Sequence, residues 1–543
     1  MLPPEPASTL AGAPVVIVGG GPVGLATALE LAYHGIESLV LERRPEVSWL
    51  RPRAKTTSAR TMEHLRRWGL AASLRERAAL PVTWSHEAVF CTSLGGREIT
   101  RISGCFGLDL VGSELVAEPG QQVAQPVVEQ VLREAVATSG LARLVTGVEV
   151  TAVGEAAGAA WVAAVDGCGT RHRIDAEYVI GCEGARSVVR TVIGATYQGR
   201  DDCRPNFNVV FRAPGLAERI PHGPAVHYWV LDPAQPSLVG RLDLDATWWC
   251  IAQGVDAPTG EADPLRIVRR LVGLEQPVEV LATDAWRARM LLVDRYRNSR
   301  LFIAGDAAHQ NPPWGGHGFN TGIGDAVNLG WKLAAVLAGW APPTLLDSYE
   351  AERRPVAART IDEARRNMAT LAPELADPRL HGDGPDFEAA RQAVAESIQA
   401  SKDSEFHSLE LTLGYEYSGS PIVVADQAVA PAPSRHRAYR PSAAPGHRLP
   451  HRWLAPGRSL YDQLGRELTL IGDLSDPAVP RLARAADDLG IPLDLLHLEG
   501  AVQHLGAPLA LVRPDQHVAW RGGAVSPPEA LLRLVIGHRT PEC

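Results

Sequence analysis

The chain has 543 residues, of which 45% are hydrophobic and 21% are charged, with a mean hydropathy of −0.05. At roughly 150 residues per domain, this length allows three or four globular domains. A net charge of −9 and a pI near 6.0 argue against a general nucleic-acid binder, which needs a basic surface. The seven cysteines form no CxxC pair, which argues against a zinc ribbon or a disulfide framework and favours a reducing compartment.

The N-terminal segment, MLPPEPASTLAG, lacks the basic start of a signal peptide. Residues 6–29 carry no charge, but they include five glycines and three prolines, which argue against a continuous bilayer helix. We therefore expect a soluble, cytoplasmic protein that contacts neither a membrane nor nucleic acid.

The first predicted elements form a βαβ unit. The apolar run Val15–Val18 predicts a short buried parallel strand, and the next residues predict a helix over about 22–34. A second buried strand, at 39–41, ends at Glu42.

The turn between this first strand and the helix reads Gly19-Gly20-Gly21-Pro22-Val23-Gly24 and fits GxGxxG in the context that the motif requires. Glycines here let the backbone approach a pyrophosphate, whose charge the helix N-terminus stabilises. Glu42 follows Gly24 by 18 residues, and its carboxylate suits ribose hydroxyl groups. We predict a dinucleotide site that includes Glu42, the adjacent Arg43 and, from the turn, Gly19, Gly21, Pro22, Val23 and Gly24.

The middle of the chain changes from helical to strand-like patterns. Helices are predicted at 58–68 and 125–137, and a buried strand at 178–180. Residues 205–285 are rich in β-branched and aromatic residues and contain turn signals. This block predicts a mostly antiparallel sheet.

A second βα pattern begins near position 301. Residues 301–304 predict a strand, followed directly by Gly305-Asp306, whose carboxylate suits a sugar-alcohol hydroxyl; a turn cap is the plainer interpretation. The glycine-containing segment 312–320 then precedes a helix predicted over 322–337. Its glycines would expose backbone N–H groups to a bound ligand.

The C-terminal part predicts a separate small domain. Seven prolines between positions 421 and 456 indicate a boundary region rather than a packed element. Strands at 468–471 and 509–512 and an amphipathic helix near 478–489 then predict a small βα unit. His447 and His451 are separated by Pro450 in a way that argues against a helical metal pair, and no metal site is predicted.

The GxGxxG turn, a middle motif at 181–190 and the Gly305-Asp306 pair occur in an order and spacing that resemble the flavoprotein aromatic hydroxylases of the p-hydroxybenzoate hydroxylase fold. The resemblance covers roughly positions 13–420. It is strongest to bacterial phenol and phenylpropionate hydroxylases and to polyketide or indole-alkaloid tailoring hydroxylases of secondary metabolism. The C-terminal part, most clearly at 512–521, resembles the thioredoxin-like domain of many of these enzymes, but without CxxC no redox role is expected.

The resemblance implies an α/β fold with a Rossmann-like FAD-binding domain, a mostly antiparallel β-sheet substrate domain and a C-terminal thioredoxin-like α/β domain. The implied boundaries are 1–75, 106–195 and 285–365 for the FAD-binding domain, 76–105 and 196–284 for the substrate-binding sheet, 366–430 for a helical connection and 431–543 for the thioredoxin-like domain.

The resemblance also implies residue roles. Glu42 would bind the adenosine ribose, Asp306 would bind the ribityl chain, and residues 315–320 would line the pyrimidine edge of the flavin ring. Further positions that would touch FAD are Arg53, Gln125, Glu183, Pro313, Gly315, Gly316, Gly318, Phe319 and Asn320. Glu183-Gly184 stands where the family has Asp-Gly, so the acid charge is kept while the turn shifts; a helix cap is the alternative role of Glu183.

The implied reaction uses FAD, NADPH or NADH as co-substrate, and O2. NAD(P)H would reduce FAD without a second Rossmann domain, and oxygen would then form a C4a-hydroperoxyflavin that hydroxylates a phenolic or polycyclic aromatic substrate. A base that deprotonates a phenol would assist. No catalytic residue is identified, and packing or a surface position is the plainer role for each candidate: Arg212, His227, Tyr228 and His317.

Other functions on the same fold stay open, namely Baeyer–Villiger oxidation and epoxidation. Halogenation is disfavoured because Trp248-Trp249-Cys250-Ile251 does not match WxWxIP, and disulfide reduction because no redox cysteine pair follows the first strand unit. A non-catalytic flavin- or ligand-binding protein is the alternative from a different class. Homodimer formation also stays open.

Overall fold

The computed structural model describes residues 10–201, 204–368, 375–425 and 438–538. The predicted helical connection at 366–430 and the predicted thioredoxin-like domain at 431–543 therefore lie partly outside the described residues, as do Cys203 and Cys543. The strands, in chain order, are β1 (Val15–Val18), β2 (Ser38–Glu42), β3 (Thr56–Thr57), β4 (Ala88–Cys91), β5 (Glu98–Ile102), β6 (Gln121–Gln122), β7 (Ala142–Thr146), β8 (Val148–Ala156), β9 (Ala159–Asp166), β10 (Arg171–Ala176), β11 (Tyr178–Gly181), β12 (Tyr197–Arg200), β13 (Pro205–Arg212), β14 (His227–Val230), β15 (Ser237–Arg241), β16 (Thr247–Gln253), β17 (Glu279–Arg287), β18 (Met290–Val293), β19 (Arg297–Asn298), β20 (Leu301–Ile303), β21 (His309–Gln310), β22 (Trp453–Ala455), β23 (Arg458–Ser459), β24 (Leu468–Gly472), β25 (Leu493–His497), β26 (Leu509–Val512) and β27 (Val518–Gly522). The helices are α1 (Pro22–Tyr33), α2 (Ala59–Arg67), α3 (Ala71–Arg77), α4 (Gln125–Thr138), α5 (Val188–Val192), α6 (Ala257–Ala262), α7 (Pro264–Val272), α8 (His317–Leu337), α9 (Ser348–Met368), α10 (Pro385–Phe406), α11 (Leu409–Thr412), α12 (Ala478–Leu489), α13 (Ala501–Leu505) and α14 (Pro528–Val535).

One sheet of the α/β fold has six strands, in the order β19-β20-β11-β1-β2-β7. Its strands are parallel except for β19, which runs antiparallel to β20. The apolar strands β1, β2 and β11 are buried along their whole length, as expected for a parallel strand covered on both faces. Helix α1 packs against α4 and α8. The predicted Rossmann-like opening is thereby confirmed.

A seven-stranded sheet in the order β17-β13-β16-β15-β14-β4-β5 is antiparallel except between β14 and β4, which are parallel. Because successive strand residues point to opposite faces, its two faces have different neighbours. Phe207 and Trp248 lie on a face that packs with the apolar side of α7. Trp229 and Trp249 lie on the other face, with residues of α10 such as Phe406. We call this second surface the aromatic face.

The tail, which we define as residues 438–538, contains a four-stranded sheet in the order β25-β24-β26-β27. β24 and β25 are parallel, and the other two pairs are antiparallel. Helices α12 and α14 pack on each other, and their apolar residues join those of β24 and β26 in one core. Trp331 of α8 is part of this same core, so the tail packs directly on the helix that leaves the segment 312–320.

Buried charged residues also join the tail to the rest of the chain. The Arg513 guanidinium donates to both carboxylate oxygens of Glu352, at 2.6 and 2.9 Å, and to Asp515 at 2.6 Å. Lys332 of α8 donates to Glu352 at 2.6 Å. Arg448 is likewise paired with Glu63 of α2. The side chains of both groups are almost inaccessible to solvent; they are Glu63, Lys332, Glu352, Arg448, Arg513 and Asp515.

Two sequence predictions differ from the structure. Helix α8 begins at His317 and not at Gly322, because Gly316 is its N-cap, with a φ of 70°. Gly322 lies inside the helix, where a Cβ would lie 2.6 Å from Val23, so the glycine reflects close packing and does not mark the helix start. The proline-rich region is also more than a boundary. Residues 443–446 and 448–451 are buried although they lack regular secondary structure.

In the described ranges, no helix is long and apolar enough to cross a membrane. Those same residues contain no group of three or more histidine, cysteine, aspartate or glutamate side chains placed to hold a metal ion.

Candidate functional site

The three sequence motifs meet at one edge of the six-stranded sheet. β1 leads into Gly19, β2 ends at Glu42, β11 leads into Glu183, and β20 leads into Gly305. Because these four strands are parallel neighbours, their carboxyl ends lie side by side. In open α/β sheets this edge is where ligands bind.

Steric constraints explain the glycines of the first turn. A Cβ on Gly19 would lie 2.5 Å from the carbonyl oxygen of Cys182, and one on Gly24 would lie 1.9 Å from the carbonyl oxygen of Gly19. A Cβ on Gly21, in contrast, would have no neighbouring atom within 4 Å. Gly21 is also the N-cap of α1 and provides no side-chain cap. The helix N-terminus is therefore open to an anionic group.

Glu42 is 5% exposed and is held by the turn that it faces. It accepts a hydrogen bond from the N–H of Gly20 at 2.8 Å and two from Arg44, from its backbone N–H at 2.9 Å and its Nε at 3.0 Å. Burial alone would raise the pKa of Glu42, but these bonds lower it. Arg44 is the arginine in contact with Glu42, whereas the predicted Arg43 is exposed.

The Gly305-Asp306 segment is held through its backbone, which leaves the Asp306 side chain exposed at the sheet edge. The Tyr197 hydroxyl donates to the carbonyl oxygen of Asp306 at 2.5 Å, and the Gly305 N–H donates to Asp325 at 3.1 Å. Neighbouring protein atoms still desolvate the carboxylate in part, which raises the pKa of Asp306. A Cβ on Gly305 would lie 2.9 Å from Val23, so this segment packs against the first turn.

Asp325 is a structural residue of the site that sequence reasoning missed. It is fully buried and bonds His309 at 2.7 Å and Arg353 Nε at 2.8 Å, in addition to Gly305. Although burial alone would raise the pKa of Asp325, His309 and Arg353 lower it. An aspartate in the apolar half of a predicted helix was the available signal, since a buried charge requires partners.

Glu183 contacts the start of α5, whose N-cap is Ser187. Its Oε1 accepts a hydrogen bond from the backbone N–H of Val189 in the first turn of α5, at 3.0 Å. Its Oε2 is buried without a partner in the described structure, and desolvation raises the pKa of Glu183. The Glu183 Cα would be 2.8 Å from a Cβ on Gly19, so the middle motif supports the first turn sterically.

Arg53 and Gln125 lie close together beside this edge. The Gln125 N–H at the start of α4 donates to the carbonyl oxygens of Pro52 and Ala54, at 3.1 and 2.8 Å. Arg53 lies between those two carbonyls with a positive φ of 43°, and its side chain is exposed.

The segment 312–320 turns into α8 next to the short β3–β6 ladder. Gly315 and Gly316 have φ values of 88° and 70°, and Pro313 is exposed. Asn320 accepts from the Ser58 N–H at 2.9 Å and donates to the carbonyl oxygen of Gly316 at 2.7 Å. Its side chain therefore ties the segment to α2. Gly318 and Phe319 lie in the first turn of α8, and Phe319 packs with Ala26 and Ile323.

The aromatic face continues from this segment. Trp314 is buried, and its ring centroid lies 6.3 Å from that of Trp229 and 6.5 Å from that of Trp286. His227 lies on the same face, with its ring 5.5 Å from Trp249 and 5.3 Å from Phe106. Aromatic rings thus pack together next to the segment 312–320.

The four catalytic candidates have different positions. Tyr228 points to the opposite face, where its hydroxyl donates to the Gly223 carbonyl oxygen, and Arg212 is exposed at the end of β13. Neither Tyr228 nor Arg212 therefore lies on the aromatic face. His317 is buried and His227 is half-buried, and desolvation lowers the pKa of His227 to about 3 and that of His317 to about 4. Both imidazoles are therefore neutral at pH 7, and each has a buried ring nitrogen without a partner among the described residues.

Two family models match the chain. A model described as an FAD binding domain matches residues 12–364, and a model described as the C-terminal part of aromatic-ring hydroxylases matches residues 442–538.

Similar proteins cover more than nine-tenths of the chain. The 2,4-dichlorophenol 6-monooxygenase of Delftia acidovorans is 31% identical over 570 residues, covering 93% of this chain and 94% of the relative. A structure of RebC, soaked with chromopyrrolic acid and containing bound 7-carboxy-K252c, has a TM-score of 0.90 and 33% identity, covering 98% of this chain and 100% of RebC. A ternary complex of aklavinone-11 hydroxylase with FAD and aklavinone has a TM-score of 0.82 and 26% identity, covering 97% of this chain and 100% of that chain.

Proposed function

Because this chain belongs to the family of FAD-dependent aromatic-ring hydroxylases, we propose that it transfers one oxygen atom from O2 to the ring of an aromatic substrate, with NAD(P)H as the reductant. The second oxygen atom leaves as water, and the substrate is a phenolic or polycyclic compound. The observation that carries this proposal is the aromatic face, which adjoins the segment 312–320. This segment follows Asp306 at the carboxyl edge of the six-stranded sheet, which we call the cofactor edge.

The residues at the cofactor edge fit FAD. The open space at Gly21 and the uncapped N-terminus of α1 suit a pyrophosphate. Glu42, held by Gly20 and Arg44, retains acceptor capacity for ribose hydroxyls, and the exposed Asp306 carboxylate suits the ribityl chain. When bound, FAD supplies hydride acceptance and oxygen activation, which no amino-acid side chain provides.

The chain's own residues would position the substrate and exclude water. Trp249, whose ring lines a recess on the aromatic face, provides an apolar ring surface against which an aromatic substrate can stack. The turn at Gly315 and Gly316 places backbone N–H groups at the start of α8, which would stabilise negative charge on a ligand. Gly315, Gly316, Gly318, Phe319 and Asn320 thus remain the proposed contacts of the flavin ring.

His227 is proposed as a hydrogen-bonding residue and not as a strong base. An imidazole whose conjugate acid has a pKa of about 3 takes up a proton poorly at pH 7. Its unpartnered Nδ1 can still bond a substrate hydroxyl, which would otherwise be desolvated without a partner.

The proposal is tested with purified protein and labelled oxygen. The protein should be yellow, and acid precipitation should release all flavin as FAD. With NADPH or NADH and a panel of mono- and polycyclic phenols, at least one compound should gain one atom from ¹⁸O2 on its ring. The position of the label also separates ring hydroxylation from Baeyer–Villiger oxidation and epoxidation.

Two results would contradict the proposal. A colourless preparation that cannot be reconstituted with FAD would exclude the cofactor site. A yellow protein that binds aromatic compounds but never consumes NAD(P)H in their presence would support the non-catalytic alternative.

A further inference from the structure

Lys55 is a basic residue for which the described structure provides no carboxylate partner. It directly precedes β3, and its Nζ lies 4.1 Å from the centroid of the Trp249 ring on the aromatic face. Desolvation lowers the pKa of its ammonium group to about 8. Lys55 is half-buried, and an ammonium group that is partly removed from water without a counter-ion costs free energy, of which a tryptophan ring offsets only a part.

The recess around Lys55 has an excess of positive charge. It is partly open to solvent, and its charged lining residues are Arg51, Arg53, Lys55 and Asp284. Asp284 is already paired with Arg51, whose Nη2 lies 3.2 Å from its Oδ1. Two cationic side chains of the lining therefore lack a matching carboxylate within it.

Unpartnered polar atoms adjoin Lys55 on the aromatic face. His227 Nδ1 and Trp249 Nε1 are buried without a hydrogen-bond partner among the described residues, and their rings are 5.5 Å apart. Gln122 donates to the carbonyl oxygen of Val226, beside His227, while its own Oε1 is buried without a partner. Buried polar groups in folded proteins are nearly always satisfied, so these atoms indicate a polar ligand.

The local packing also keeps Trp249 in place under Lys55. A Cβ on Gly240 of the neighbouring strand would lie 2.9 Å from the Trp249 ring, so a larger residue would displace the indole. Backbone pairing between β3 and β6, together with the Val123 N–H that donates to the Lys55 carbonyl oxygen at 2.9 Å, fixes the lysine backbone.

Resting on the proposed hydroxylase function, we propose that Lys55 is the anion-binding residue of the substrate site, and that the substrate is an aromatic compound with a phenolate or carboxylate oxygen beside Trp249. The anionic oxygen supplies the counter-ion that Lys55 lacks, and its lone pairs accept from the ammonium group and the indole N–H. A neutral His227 beside it adds a hydrogen bond without adding charge.

The test uses the FAD-loaded protein and four probes with the same ring system: 2-naphthol, 2-methoxynaphthalene, 2-naphthoate and methyl 2-naphthoate. Dissociation constants are measured by flavin absorbance and tryptophan fluorescence, without NAD(P)H. We expect at least one anionic or ionisable probe to bind roughly ten- to a hundredfold more tightly than its neutral methyl partner, as for a charge-assisted hydrogen bond. Phenolate absorption from bound 2-naphthol at pH 7.5 identifies a phenolate site, and preference for 2-naphthoate alone identifies a carboxylate site.

Variants assign the preference to Lys55. Lys55→Met, and Lys55→Gln as a second neutral variant, should abolish it, whereas Lys55→Arg should retain it. Arg51→Met is the matched control, because it removes a cation from the same recess that already has a partner in Asp284, and it should leave the preference unchanged.

Binding results alone decide the inference, independently of turnover. It is overturned if the methyl partners bind as tightly as the parent probes, if both neutral Lys55 variants keep the preference, or if neither 2-naphthol nor 2-naphthoate binds. It is also overturned if Lys55→Met weakens FAD binding tenfold and leaves the probe preference intact. Loss of hydroxylation with every phenol would contradict the proposed function but would not affect these binding ratios.

Discussion

The Arg513 guanidinium forms two hydrogen bonds with the Glu352 carboxylate, at 2.6 and 2.9 Å, between positions 161 residues apart in the chain. Both side chains are inaccessible to solvent. Although burial alone would raise the pKa of Glu352, Arg513 and Lys332 lower it to about 2. The pair joins the tail to α9, and through Lys332 to α8.

Arg513→Met should destabilise the protein by about 3–5 kcal/mol, because Glu352 and Asp515 would keep their charges in a buried site after losing their shared partner. Urea denaturation, followed by tryptophan fluorescence, measures this loss. The control is Arg533→Met on α14, where the arginine is exposed and the expected change lies within about 0.5 kcal/mol. Equal stability of the two variants would show that the pair is energetically unimportant.

The glycines of the first turn should separate a folding role from a binding role. Gly24→Ala should lower the stability of the apo-protein by about 1–3 kcal/mol, because the added Cβ would lie 1.9 Å from the Gly19 carbonyl oxygen. Gly21→Ala adds a methyl group to open space, so the apo-protein should keep its stability while FAD binds at least roughly tenfold more weakly, a loss of about 1.4 kcal/mol. Thermal unfolding of the apo-protein and FAD titration provide the two measurements. If Gly21→Ala binds FAD normally, the pyrophosphate does not lie at this N-terminus.

Asp306→Ala should weaken FAD binding tenfold to a hundredfold, since a charge-assisted hydrogen bond contributes ~1.5–3 kcal/mol. The segment itself should keep its conformation, because Tyr197 and Asp325 hold its backbone and not its side chain. FAD titration of the variant tests the first statement, and apo-protein melting tests the second. Unchanged affinity would limit Asp306 to a structural role in the turn.

The stability contribution of Glu183 should depend on pH with a defined sign. Burial raises its pKa above the unfolded value of about 4.3, so its contribution is fully present below pH 4.3 and is lost as pH rises through the folded pKa. Glu183→Gln keeps an oxygen for the Val189 N–H and removes the buried charge. Its stability relative to the unmodified protein should therefore increase between pH 4 and pH 8. A difference that does not change over this range would contradict the assignment.

Glu183→Ala tests whether the Glu183 carboxylate acts only through its hydrogen bond to α5 or also in flavin reduction. The N-cap Ser187 remains, so loss of the hydrogen bond to Val189 should cost about 0.5–1.5 kcal/mol. Glu183→Asp, which is one methylene shorter, tests whether the acid alone suffices. Stopped-flow reduction by NAD(P)H at saturating FAD then separates capping from electrostatics. The hydrogen bond to Val189 leads us to expect an unchanged rate, and a slower rate would indicate that the carboxylate acts on hydride transfer.

The local motifs could be predicted from sequence because their cause is local. The strand β1, the glycine turn and the acid at the end of β2 require only backbone geometry and hydrophobic periodicity. The start of α8 could not be placed in this way, since its glycines reflect packing against Val23, which is distant in sequence.

Side-chain partners were harder to predict than elements. Alternation along β14 separates His227 from Tyr228, but it does not say which face meets the segment 312–320. The partners of Arg448 and Arg513 lie 385 and 161 residues away, and no sequence pattern connects them. In the sequence, Lys55 is one of several basic residues between positions 51 and 67, and only the fold places the Trp249 ring beneath its ammonium group.

Trp331 and Lys332 are neighbours on α8, and both are committed to the tail: the indole lies in the tail's hydrophobic core, and the ammonium group bonds Glu352, the partner of Arg513. The helix that begins at the segment 312–320 is thus also a component of the C-terminal domain. A chimaera that exchanges residues 438–538 for those of a relative would need matching residues at 331, 332 and 352, because the boundary in sequence is not a boundary in packing. In this chain, an exchange of domains therefore has to preserve the contacts between α8 and the tail.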